Sequence, residues 1–197
     1  MKAGVDVADG IVFEDAAEWE GWLADHWETH TSAWLKIAKK GAGRVSVTSS
    51  DALDVALCYG WIDGQRKSCD AAYFLQRYSR RRPKSSWSKV NVGKVEALVA
   101  AGRMRGPGLA EVEAAQADGR WDAAYDSQKN ATVPADLAEA LERSEPARVF
   151  FESLSRTARY AELLNLMKAR TPEGRAVRLK KMVAKMEAGE GTASQAG

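Results

Sequence analysis

Residues 61–80 read WIDGQRKSCDAAYFLQRYSR. From Tyr73 to Arg80 apolar and polar residues roughly alternate, with Phe74 and Tyr78 on one side and Tyr73 and Leu75 close by. A period of two is the pattern of a strand with one buried face. Upstream, Asp63-Gly64 is a two-residue hairpin signal, because a tight primed turn needs residues that tolerate positive φ. Working outward, residues 33–39 (AWLKIAK) also alternate, with Ala33, Leu35 and Ile37 on one face and Trp34 on the other. These segments decide the fold class, since the rest of the chain carries helical spacing. The expectation is α+β: a small antiparallel sheet within 33–80, covered by helices, followed by an all-helical C-terminal subdomain.

Asp15 followed by Glu18 has capping-box character and opens a helix over about 16–29, with Trp19, Trp22, Leu23 and His26 at helical spacing. Ser49 and Ser50 open a second helix, DALDVALCY, with Leu53, Ala56 and Leu57 inward and Gly60 placed to end it. After Pro83 the expected helices are 87–101, capped by Ser85 or Ser86, and 108–118, stopped by Gly119. A polar linker, DSQKNAT, occupies 126–132. Pro134 suits the first position of a helix over 134–143. Pro146 opens the next, with Val149, Phe150 and Leu154 apolar, and 156–169 carries Tyr160, Leu163, Leu164 and Met167. Beyond Pro172, Val177, Leu179, Met182, Val183 and Met186 mark a final basic amphipathic helix. The domains expected are an α+β core over 1–125, a helical subdomain over 133–187 and a disordered tail over 188–197.

At 197 residues with 45% hydrophobic and 28% charged side chains, the chain has the composition of a globular protein with a real core. The net charge of +2 conceals segregation. Residues 1–30 hold eight acids against Lys2, residues 77–89 hold six bases and no acid, and residues 168–185 hold seven bases against Glu173. Cys58 and Cys69 have no CxxC spacing, which excludes a familiar metal or redox motif and fits a reducing compartment. No apolar run reaches the roughly 18 residues of a membrane span, and the acidic first thirty residues do not read as a signal peptide. A cytoplasmic protein without membrane insertion is expected.

The sharpest candidate for chemistry is RRRPKSSWSKVN at 80–91. Arg80, Arg81, Arg82 and Lys84 lead into an expected helix start bearing Ser86, Trp87 and Asn91. A helix N-terminus favours an anion, and arginine forks clamp phosphate or carboxylate. The alternative is structural: Ser86 caps, Trp87 is core, and the arginines pair with the acidic N-terminal region or are solvated. Trp61 and Asp63 form a second candidate. If the strand runs through them they share a face, and Asp63 can orient a ligand hydroxyl or amine; if Asp63-Gly64 is a turn, Asp63 serves the backbone. Arg66 and Arg77 can pair with Asp63 either way. His26 and His30 lie four apart, but HWETH is not the HExxH of a zinc protease and no third ligand is indicated, so no metal is expected. No nucleophile setting and no phosphate loop after a strand is legible, and no cofactor is expected.

Several strings together resemble one family. ALCYGWIDG at 56–64, RRRPKSSWSKVN at 80–91, GRMRGPGL at 102–109, DGRWDAAY at 118–125 and the run from Val133 to Glu187 are similar to the YdeI/OmpD-associated, or bacteriocin-protection, proteins, over about 19–187. The resemblance implies a bacterial stress or antimicrobial-defence role, with a name linked to cationic antimicrobial peptides and to an outer-membrane porin. The family pattern tends to read Glu-Thr-Arg where this chain has Glu173, Gly174 and Arg175, so a threonine hydroxyl at that helix start is missing. The first functional expectation is a non-enzymatic protein acting through a basic surface that binds an anion or a protein. The second is nucleic-acid binding through 77–89 and 168–185, with Trp87, Tyr73 or Tyr78 stacking on bases. The third is an enzyme acting on a small anionic metabolite.

Overall fold

The computed structural model describes residues 10–190, in two compact units that divide between Ala123 and Ala124. The first unit is α+β. Its helices are α1 (Ala16–His26), α2 (Ser49–Cys58), α3 (Lys89–Ala100) and α4 (Gly106–Ala117), and its strands are β1 (Ser32–Ala38), β2 (Trp61–Ser68) and β3 (Tyr73–Arg80). The sheet order is β1-β3-β2 with both pairings antiparallel. Ile11 adds a parallel bridge on the free side of β1, its N–H donating to Trp34 O at 2.8 Å.

The register aligns Ala33, Leu35 and Ile37 of β1 with Tyr78, Gln76 and Phe74 of β3, and Asp63 of β2 with Tyr78. Helices α1 and α2 serve this face. Trp19 and Leu23 of α1 are fully buried, and the Trp19 ring lies 5.8 Å from Tyr78 and 6.3 Å from Trp61. Trp19 Nε1 donates to Ala52 O at 3.1 Å and the Tyr78 hydroxyl to Ser49 O at 3.2 Å, so both rings bury their apolar bodies while their polar tips are satisfied by α2.

The expected hairpin at Asp63-Gly64 is not there. Strand β2 continues to Ser68, and its register shifts between Asp63 and Arg66, so the glycine sits in an irregularity of the ladder instead of a turn. The chain reverses between β2 and β3, where Asp70 Oδ1 accepts from the N–H groups of Ala72 and Tyr73, each at 2.8 Å. An Asx turn did the work assigned to Asp-Gly.

Several helix starts also move. Asp15 caps α1 as expected, accepting from Ala17 N and Glu18 N, while Glu18 Oε2 accepts from Glu14 N. Thr48 caps α2 and Ser88 caps α3, accepting from Asp51 N and Asn91 N; Ser85 and Ser86 lie ahead of the helix. Gly60 takes φ of 72°, and α4 packs against this end of α2 so closely that Arg105 N donates to Cys58 O at 3.1 Å. A Cβ on Gly108 would stand 2.7 Å from the Cys58 carbonyl carbon and 2.8 Å from Leu57 O. The joint is backbone against backbone.

The second unit is helical throughout: α5 (Ala135–Glu142), α6 (Glu145–Ser153), α7 (Arg156–Met167) and α8 (Pro172–Glu187). Its core is Leu137, Leu141, Ala147, Phe151, Leu163, Leu166, Met182 and Met186. Pro134 precedes α5 as its cap residue, and Pro172 is the first residue of α8. In α6 the buried residues are Ala147 and Phe151, and Val149 faces solvent. Thr171 caps α8 by accepting from Gly174 N at 3.0 Å, so a threonine hydroxyl is present at this start after all, three residues before Gly174. Residues 188–190 close the helix, with Gly189 at φ of 74° and Glu190 N donating to Lys185 O. The remainder of the expected tail, 191–197, lies outside the described residues.

Candidate functional site

The segment from Arg80 to Asn91 does not present four cations to one point. Arg80 is exposed, donates through Nη2 to Trp27 O and lies over the Trp27 ring. Arg81 turns inward and is 4% exposed. Its guanidinium sits 3.8 Å from the Trp87 ring centroid, and Nη2 donates to Ser86 O at 2.7 Å. Arg120 approaches from the other side, donating to Ser85 O at 3.0 Å while its Nε bonds Asp118. The two arginines therefore satisfy the backbone carbonyls of the loop that leads to buried Trp87. Arg82 and Lys84 remain exposed, and Lys84 takes φ of 68° in the turn after Pro83. Ser86 contributes its carbonyl, and Asn91 contributes the N–H that Ser88 caps.

Trp61 and Asp63 do share a sheet face, because β2 runs through both. Trp61 is fully buried, edge-on to Trp19 and Trp22 at 79° and 84°. Much of Asp63 reaches solvent, yet burial around its carboxyl pushes the pKa above the ordinary aspartate value, with its own backbone N–H, Arg66 and Arg81 pulling the other way. Across the ladder, burial likewise pushes the Tyr78 hydroxyl up, with Asp63 adding to the shift. Arg66 is held by Gln76 Oε1 at 3.0 Å and Ser49 Oγ at 3.3 Å, and Arg77 bonds Ser32 Oγ at 3.0 Å. The structure thus brings Asp63 near Arg66 and Arg81, and keeps Arg77 away from it.

A basic pocket of about 370 Å³ lies by the segment KKGAGR at 39–44. Lys39, Lys40 and Arg44 line it together with Ser46, Thr48 and Ser49. Its hydroxyls are occupied: Ser46 Oγ accepts from Ala38 N, Thr48 Oγ1 caps α2 and Ser49 Oγ accepts from Arg66. His26 stacks on Trp22 at 4.5 Å, and its Nδ1 pairs with Trp22 O. Among the described residues no group of three or more metal-ligating side chains is gathered, and no helix is long and apolar enough to cross a membrane.

The helical unit divides its basic residues into two classes. Arg175 grips Asp136 through two bonds of 2.7 and 2.9 Å and also donates to Leu166 O. Arg175 holds the Asp136 carboxyl below its ordinary pKa. Arg178 donates to Asn165 O at 2.7 Å. These are structural. Lys180, Lys181 and Lys185 lie on exposed turns of α8. Beside Lys180 runs a groove of about 450 Å³ between α5 and α8, with Ala140, Ala176, Leu179, Val183 and Ala184 as its apolar lining and Arg143, Lys180 and Glu187 among its polar residues. A second cavity of about 420 Å³ is lined by Gln128, Lys129, Arg156, Arg159 and Tyr160 over Ala131, Val133 and Leu163. Neither was foreseen. The signal that existed was compositional: the basic run from Lys168 onward pointed to α8, and nothing pointed to α7.

Comparison with known proteins divides the chain in the same way. A family model described as a domain of unknown function (DUF8412) matches residues 11–111. One described as "Bacteriocin-protection, YdeI or OmpD-Associated" matches residues 130–189. Neither the curated proteins nor the solved structures contain a match. The resemblance drawn from the sequence is thereby upheld for the helical unit, whereas the strings at 56–64, 80–91 and 102–109 fall within the other model. The chain belongs to the DUF8412 family through residues 11–111 and carries a bacteriocin-protection, YdeI/OmpD-associated domain over residues 130–189.

Proposed function

We propose that the protein is a non-enzymatic antimicrobial-defence protein that acts by binding a protein partner, with the groove between α5 and α8 as its docking site and an acidic amphipathic helix as the occupant. The observation that carries this reading is an apolar lining of alanine, leucine and valine with Arg143, Lys180 and Glu187 at its rim, within the domain that bears the bacteriocin-protection match. A helix laid in such a groove buries residues spaced i, i+3/i+4 and i+7 and turns its charged face to the rim. Arg143 is already paired with Glu139, and Glu187 accepts from Ser144 Oγ, which leaves Lys180 as the rim charge that selects an acidic partner. Lys180 disfavours a cationic peptide. Protection would therefore run through an acidic protein partner and not through direct capture of a cationic antimicrobial peptide.

Nucleic-acid binding is the competing reading, favoured by the exposed Lys180, Lys181 and Lys185. Three lysines on one helix neutralise few phosphates, and the apolar lining of the groove has no use against a backbone of phosphodiesters. The test is fluorescence anisotropy with a labelled synthetic helix carrying leucines at the groove spacing and glutamates elsewhere. A dissociation constant on the order of micromolar is expected. Ala184→Glu and Lys180→Glu, both at exposed positions, should weaken it about tenfold each, and a lysine version of the peptide should not bind. Binding unaffected by Ala184→Glu, or preferential binding of single-stranded oligonucleotide with a steep salt dependence, would sink the proposal.

A further inference from the structure

We infer that the cavity at the start of α7 is a binding site for a small organic phosphate, a phosphate monoester with an apolar or aromatic body. It is separate from the groove beside α8 and does not depend on that reading. Three cations converge on about 420 Å³: Lys129 from the segment before α5, and Arg156 and Arg159 from the first turns of α7. No carboxylate lines the cavity. Among the described residues none of the three is in an ion pair; Arg156 reaches only Gln128 O at 3.5 Å, and Arg159 donates through Nη2 to Glu152 O at 2.6 Å. Arg159 Nε is buried and has no hydrogen-bond partner. A buried guanidinium N–H without an acceptor costs free energy unless something supplies one.

Arg175 in the same unit is, by contrast, neutralised by Asp136. Here three positive charges stand together without a counterion, and the positive end of α7 adds to them. The missing component is an anion. Two arginine forks and an ammonium suit the three terminal oxygens and double charge of a phosphate monoester better than the single charge of a carboxylate. The remaining wall specifies the rest of the ligand. Ala131, Val133 and Leu163 are apolar, and Tyr160 is fixed by its hydroxyl donating to Asp126 O at 2.9 Å. Tyr160 is thus anchored as an aromatic wall and is not needed as a ligand donor. The volume falls within the range of small-molecule sites, roughly 300–1,000 Å³.

Phenyl phosphate is the probe, with inorganic phosphate, benzoate and benzyl alcohol as its parts, each titrated by isothermal calorimetry into the full chain. Saturable binding of phenyl phosphate with a dissociation constant of about 0.1–1 mM is expected, about tenfold tighter than inorganic phosphate and benzoate, with no binding of benzyl alcohol. Lys129→Ala/Arg156→Ala removes two exposed side chains, so its melting temperature without ligand should match wild type while its affinity falls at least about tenfold. Arg159→Lys keeps the charge and loses the fork, and should weaken phenyl phosphate more than benzoate. No saturation by any anion up to about 10 mM would overturn the inference. So would equal affinity in the double variant, or a response to all anions that follows ionic strength alone.

Discussion

Glycine-to-alanine substitution should change sign between two helices of the first unit. At Gly93 in α3 a Cβ would meet nothing within 4 Å. Alanine there gains only helix propensity, about 0.5–1 kcal/mol in favour of the fold. At Gly108 in α4 the same Cβ would stand 2.7 Å from the Cys58 carbonyl carbon and 2.8 Å from Leu57 O, where ordinary contact needs about 3.5 Å. The neighbours are peptide backbone and have no rotamer to change. Helix α4 must move away by nearly 1 Å, straining the Arg105 N–Cys58 O bond and the packing around it. Overpacking of this kind costs about 1–3 kcal/mol or more, the strained bond adds about 1, and the propensity gain offsets about 1. A net loss of about 1–3 kcal/mol follows, or roughly 4–12 °C in melting temperature for a unit of this size. All seven tryptophans, from Trp19 to Trp121, lie in this unit, so urea and thermal unfolding followed by tryptophan fluorescence report on it selectively. Gly108→Ala as stable as wild type would refute the backbone contact, and so would a loss of the same size at Gly93.

Other consequences are as specific. Arg81→Ala should cost about 2–4 kcal/mol, since it removes the stack on Trp87 and the bond to Ser86 O, whereas exposed Arg82→Ala should stay within about 0.5 kcal/mol; thermal melts by tryptophan fluorescence separate the two. Asp63→Asn should be at least as stable as wild type at pH 7. The folded carboxyl has a raised pKa, so its charge opposes folding above that pKa, and the variant's advantage should shrink as protonation relieves wild type on acidification. A marked loss of stability at pH 7 would instead show the carboxylate held by Arg66 and Arg81. Arg175→Ala should destabilise the helical unit by about 1–2 kcal/mol, a value kept small because both partners are about a third exposed. Asp136 has a lowered folded pKa, so this contribution is full above about pH 4–5 and fades as pH falls through the folded value. Circular dichroism melts at pH 7 and pH 3 should show the variant's deficit shrinking at the lower pH.

The α+β class was legible because local patterns agreed: alternation over 73–80 and 33–39, and helical spacing elsewhere. What failed were choices among neighbouring polar residues. Asp63-Gly64 carries the hairpin signal, yet Cys69 to Ala72 makes the reversal, because Asp70 satisfies two backbone N–H groups at once. Ser85, Ser86 and Ser88 are equivalent as caps in the sequence, and burial of Trp87 selects Ser88. Within the arginine run the sequence leaves an anion clamp and a structural role both open, since charge patterns show sign and not direction; Arg81 turns inward to a carbonyl and a ring. The phosphate cavity combines Lys129 with Arg156 and Arg159, positions nearly thirty residues apart, and such convergence has no local pattern.

The contact between α2 and α4 also governs motion. Side-chain interfaces absorb small displacements by rotamer adjustment, but peptide planes in contact transmit them. Cys58 O receives Arg105 N, and two residues later Gly60 O receives Arg81 N at 3.0 Å, at the point where β2 begins. A fluctuation that lifts α4 therefore pulls on the entry to the sheet edge and on the loop carrying Arg81. Amide hydrogens at Arg105 and Arg81 should then exchange with solvent through one shared opening, with matched protection, although 24 residues of chain separate them.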